Sequence, residues 1–187
     1  MGFQDVYGAP ERKFAALHGA EGLVVTEGRV IAGYASLFGQ RDQGGDVVQA
    51  GAYAASLAAL GAAGRRVKML WQHDPAQPIG VWDEVREDGR GLWVKGRILT
   101  EVEKGREAVA LLAAGAIDGL SIGYRTLTAE RDGKGRRLLT GLELWEVSLV
   151  TFPMLAEARV AAKAEAPDGW RSLAQIIDEA RLGLAAR

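Results

Sequence analysis

The sequence predicts an α+β fold, with a β-rich, barrel-like core and flanking helices. Three observations lead there. Glycine fills 25 of 187 positions, about twice its average usage, and Gly33, Gly44, Gly45, Gly80, Gly89 and Gly91 fall between short alternating apolar runs, as turns between strands do. Asp88-Gly89 between two such runs is a strong hairpin signal. Only two or three stretches carry helical spacing, too few for a doubly wound sheet.

The elements follow in order. Residues 1–20 are weakly patterned. Arg29 to Phe38 reads as a strand rich in β-branched and aromatic residues. A polar turn cluster, Gln40 to Asp46, leads through Val47-Val48 into an Ala-rich helix from Ala50 to Ala63, with Gly64 placed as its stop. Val67 to His73 is a short strand pattern that delivers His73 to its end. Beyond Pro75 and Pro78, the runs Ile79–Arg86 and Gly91–Ile98 flank the Asp88-Gly89 turn. Thr100-Glu101-Val102-Glu103 has the layout of a capping box and predicts a helix from Thr100 to Gly115. Strands are expected over Gly119–Leu127 and Gly141–Phe152, joined by a charged hairpin. Ala164 to Gly169 reads as a linker, and Trp170 to Leu184 as an amphipathic helix with Leu173, Ile176, Ile177, Ala180 and Leu184 at helical spacing. The domain reading is 1–160 as one unit and 161–187 as linker and C-terminal helix.

Composition narrows the function. A net charge of −1 gives no bulk attraction to nucleic acid or anionic membrane. No apolar run reaches the length of a membrane span, and the N-terminus lacks the layout of a signal peptide. There is no cysteine, so thiol chemistry and disulfides are excluded. Two histidines, His18 and His73, leave no metal-ligand pattern, and no phosphate-binding glycine motif is present. No cofactor is expected.

Strand alternation then selects candidates. His73 falls on the face of Val67, Met69 and Trp71, at a strand end; an unperturbed imidazole is the natural base near neutral pH, and a hydrogen-bonded core histidine is the plainer reading. Ser121 shares a face with Gly123 and Arg125, where the glycine clears space beside the hydroxyl; an ordinary half-exposed serine is its alternative. Glu146 shares a face with Leu142, Leu144, Ser148 and Val150 in a strand apolar on both sides, where a carboxylate needs a partner. Together the three supply a nucleophile, a base and an acid to orient it, the logic of serine acyl transfer. Asp74 and Asp118 are rival orienters, though Asp74 should turn away from its neighbour. Ser148 is a rival nucleophile.

Four segments carry a resemblance. They are Gly33–Phe38 with the Asp42–Asp46 turn, Trp71-Gln72-His73-Asp74 with Pro78-Ile79-Gly80, Gly119–Tyr124, and Trp145–Pro153. In this order, over roughly residues 28–160, the chain resembles the prohead maturation proteases of tailed bacteriophages, themselves similar to the herpesvirus capsid protease, assemblin. The resemblance implies an assemblin-like barrel and a serine endopeptidase acting in the host cytoplasm inside the assembling prohead. Its substrates would be major capsid protein or scaffold segments, with self-association as a further implied contact and neither nucleic acid nor membrane as partner. By position His73 matches the family histidine and Ser121 the nucleophile. Glu146 stands where assemblin has a second histidine, and the arginine pair that serves assemblin's oxyanion has no counterpart near Met154. Two other functions fit the same residues: a non-catalytic capsid-assembly module, and a small-molecule esterase or amidase. The C-terminal helix is expected to be a removable or docking tail.

Overall fold

The computed structural model describes residues 11–15, 24–26, 28–42 and 44–152. The expected linker and C-terminal helix lie outside the described residues. The strands are β1 (Glu11–Ala15), β2 (Val24–Thr26), β3 (Val30–Leu37), β4 (Asp46–Val48), β5 (Lys68–Trp71), β6 (Asp74–Glu87), β7 (Gly91–Ile98), β8 (Gly119–Arg131) and β9 (Arg137–Val150). Two helices, α1 (Ala54–Ala62) and α2 (Glu103–Ala113), flank them.

One sheet runs β1-β8-β9-β5-β6-β7-β3-β2, with β4 also paired to β9. β1 approaches β3, so the sheet curls back on itself around a core that includes Ile31, Met69, Ile98, Ile122, Val147 and Leu149. The expected β-rich, barrel-like architecture with flanking helices is the one observed. Most neighbours are antiparallel, but β5 runs parallel to β9.

Several boundaries differ from the sequence reading, each for a local reason. β1 and β2 are strands in stretches that carry no alternation; among the described residues β1, Glu-Arg-Lys-Phe-Ala, pairs only with β8, and a charged edge strand does not advertise itself by apolar period. β6 begins at Asp74 and runs through both prolines. They are tolerated because β7 reaches β6 only from Gly80 onward and the β5–β6 ladder shifts register there. The helical stretch begins at Ala54, not Ala50: the N–H groups of Gly51 and Tyr53 go to the Glu87 carboxylate across the fold, so the chain turns before it winds. Gly64 does end the helix, at φ +61°. The capping box does not form. Val102 occupies the cap position of α2 without a side-chain bond, and the Thr100 and Glu101 carbonyls instead accept from Arg106 Nη1 at 3.1 and 3.4 Å.

β9 is the strand that organises everything. On one side it meets β8. On the other it meets β4, then the chain before and within α1, through Leu142 N–H to Ala52 O and Leu144 N–H to Ser56 Oγ (both 2.9 Å), and finally β5. Its backbone is thus satisfied along most of its length by three different segments.

Candidate active site

The two ends of the β5–β6 connection pair as Trp71↔Asp74, leaving Gln72 and His73 as a two-residue turn. Both have left-handed backbones, φ 52° and 62°, as a primed hairpin turn demands. Neither has glycine's freedom, so the conformation is strained and must be held. Gln72 N–H donates to Leu149 O at 2.9 Å, its amide donates to Thr151 Oγ1 at 2.6 Å, and its amide oxygen accepts from Thr151 N–H at 3.4 Å. His73 N–H donates to Ser148 Oγ at 3.2 Å. His73 therefore does not end a strand on the Met69 face, as alternation predicted. The turn breaks the period and swings its ring over β9.

Ser121, on β8, is fully buried and stands opposite Ser148 of β9. Glu146 stands opposite Gly123, and the next pair is Tyr124↔Leu144. Trp145 is thus an extra residue, a bulge that flips the strand. Before it, Leu142 and Leu144 face the core; after it, Val147 and Leu149 do. The sequence reading put Glu146 on the face of Leu142 and Leu144. The bulge moves it to the outer face with Ser121, Gly123 and Ser148. Gly123 is needed there, because a β-carbon at that position would collide with the Glu146 carboxylate. The space expected beside the serine hydroxyl is used by the acid.

The three side chains meet in series. Ser121 Oγ lies 2.5 Å from His73 Nε2, and His73 Nδ1 lies 2.5 Å from Glu146 Oε1. As a carboxylate Glu146 can only accept, which places the imidazole proton on Nδ1 and leaves Nε2 to accept from the serine hydroxyl. Ser148 Oγ donates to Glu146 Oε2 at 2.5 Å. This serine, a rival nucleophile by sequence, has its proton committed to the carboxylate. Asp74 turns to its own chain, accepting from Ala76 N–H at 2.8 Å, and Asp118 is half-buried in the loop before β8. Arg125 shares the Ser121 face and pairs with Glu143 at 2.7 Å. The roles of Gln72, Thr151 and Ser148 in holding the site were not read from the sequence; the i, i+2 spacing of Glu146 and Ser148 was the available signal.

The family model described as caudovirus prohead serine protease matches residues 20–169, the stretch that contains all three side chains. The chain belongs to the caudovirus prohead serine protease family. Among relatives, the prohead protease of Enterobacteria phage HK97 is 31% identical over 136 residues, covering 71% of this chain and 59% of that protein. The chain therefore spans less than two thirds of the length of that relative. The capsid polyprotein of Pseudomonas phage PAJU2 is 32% identical over 104 residues, 51% of this chain and 15% of the polyprotein. The solved structure of the bacteriophage T4 capsid assembly protease superposes with a TM-score of 0.60 at 15% identity, covering 77% of this chain and 98% of that one. At that identity the likeness concerns the fold, and it agrees with the curled sheet. The family resemblance read from the short segments is borne out. Among the described residues no helix is long and apolar enough to cross a membrane.

Proposed function

We propose that the chain is a serine endopeptidase with Ser121 as nucleophile, His73 as base and Glu146 as orienting acid. Its substrates are capsid-protein or scaffold segments, cut inside the assembling prohead in the host cell. The observation that supports it most is the unbroken hydroxyl–imidazole–carboxylate series, each link 2.5 Å, assembled from β8, a strained turn and β9. The HK97 relative is itself a prohead protease.

The chemistry follows from the geometry. Ser121 Oγ attacks the peptide carbonyl carbon while His73 Nε2 takes its proton, and Glu146 steadies the imidazolium across Nδ1. Collapse of the tetrahedral intermediate breaks the C–N bond, with His73 returning the proton to the leaving amine. Water, deprotonated by the same nitrogen, then releases the acyl group and restores the serine. Burial of the carboxylate between Ser148 and His73 keeps it aimed at Nδ1.

The test is co-expression of the full chain with the phage's own capsid and scaffold proteins. Wild-type protein should shorten one of them, read by gel and mass spectrometry, and Ser121→Ala should leave it intact while keeping the wild-type circular dichroism spectrum. Undiminished cleavage by Ser121→Ala would remove Ser121 as the nucleophile.

A further inference from the structure

A cavity of about 510 Å³ lies next to Glu146 along β9, with none of the three side chains in its wall. Trp145, the residue before Glu146, and Leu127 line it from the sheet; Ala55, Ala59 and Leu60 line it from α1. The Arg125↔Glu143 pair puts one wall on the outer face that carries Ser121, while core-facing Leu144 borders the hollow from below. Lys68, at its rim, stands opposite Glu146 in the parallel β5–β9 pair. Arg125, also lining it, follows Ser121 and Gly123 on the same side of β8. Four residue steps along β8 lead from Ser121 to Arg125, about 13 Å at roughly 3.3 Å per residue. That is the reach of three or four residues of an extended peptide.

The charge around the hollow is one-sided. Arg125 is matched by Glu143, whereas Arg65, Arg66 and Lys68 are exposed. Among the described residues none of these three enters a salt bridge. Alanines rather than longer side chains on the α1 wall keep the hollow open. Leu127, about half exposed, leaves apolar surface on the sheet side that a bound side chain would cover.

We propose that this cavity is a substrate subsite: it seats a large apolar side chain flanked by acidic residues, three or four positions from the scissile bond. The apolar walls take the side chain and the cationic rim takes the neighbouring carboxylates. The assignment rests on Ser121 being the nucleophile, and it names the class of segment that the enzyme selects.

The test uses the full chain carrying Ser121→Ala, so that a probe is held and not cut, and reads fluorescence anisotropy of labelled peptides. A Glu-Leu-Glu-Ser peptide should bind at least about tenfold more tightly than Lys-Leu-Lys-Ser. Adding Arg65→Glu and Arg66→Glu should erase that preference, and Ala59→Trp, which fills the hollow from an exposed helix face, should weaken both peptides. Equal binding of the two peptides, or a preference that survives the charge reversals in a variant of normal circular dichroism, overturns the subsite. A parallel digest of a random peptide mixture by the chain with its native Ser121 separates the two readings. Cutting without acidic–apolar enrichment sinks the subsite alone. A specific, reversal-sensitive probe with no cutting of peptides or capsid segments sinks the protease assignment instead.

Discussion

At the scale of single residues, Glu146 has two separate supports, and each can be removed. Its carboxylate accepts from His73 Nδ1 and from Ser148 Oγ. Glu146→Gln replaces an obligate acceptor by an amide that can also donate, and should lower kcat by roughly 10³–10⁴-fold, as a mis-set imidazole tautomer does. Ser148→Ala leaves the carboxylate in place but frees one oxygen, so a smaller fall of about tenfold is expected. Single-turnover cleavage of a peptide substrate separates the two, and equal losses would show that Ser148 does more than aim the acid. Gly123→Ala puts a methyl where the carboxylate lies. Overpacking of this kind costs about 1–3 kcal/mol, so the variant should unfold at lower urea and cleave more slowly; an unchanged midpoint would mean that the acid has room to move aside. His73, Ser121 and Glu146 could be named as candidates from the chain alone. The reason His73 reaches the other two was not legible there, since Gln-His carries none of the Asn-Gly signal that marks a left-handed turn.

At the scale of elements, the β6–β7 hairpin shows how a local motif becomes a fixed corner. Asp88 sits at about 2, below the usual 3.8. Partial burial acts first and pushes it up, but hydrogen bonds to the ionised form outweigh that. They come from Arg90 N–H (2.9 Å), the Tyr34 hydroxyl (2.9 Å), Arg86 Nη1 (2.6 Å) and Gly91 N–H (3.2 Å). A depressed carboxylate contributes stability that is full above the unfolded value and is lost as pH falls through the folded one. The gap in urea midpoint between wild type and Asp88→Asn should therefore be largest above 3.8 and close as pH drops toward about 2. A constant gap over that range would assign the loss to something other than the charge. This hairpin was plain from Asp88-Gly89, because its signal is contained within four residues. The failed capping box shows the opposite case: the same kind of local pattern at Thr100 lost to a turn in which Arg106 bonds the Thr100 and Glu101 carbonyls.

At the scale of the whole molecule, the core beneath the site is shared by both sides of β9. Leu149 is fully buried in it while its carbonyl accepts from Gln72 N–H in the strained turn. Leu149→Ala should cost about 2–5 kcal/mol through the cavity left behind, measured by urea unfolding, and should also slow cleavage by loosening the turn that carries His73. Destabilisation without any change in rate would show that the turn is held from its outer side alone.

The sequence by itself determined the β-rich class, the β6–β7 and β8–β9 hairpins, the glycine stop of α1, and the three candidate residue types of the proposed site in their order along the chain. Those are consequences of period and local turn chemistry, which neighbouring residues carry. The tertiary structure alone decided which face each of them occupies. A turn at Gln72-His73 and a bulge at Trp145 each break the two-residue period, and a single extra residue moves a side chain from core to outer face. Such breaks are stabilised by partners 75 and 79 residues away in sequence, Ser148 for His73 and Thr151 for Gln72, and no local window contains them.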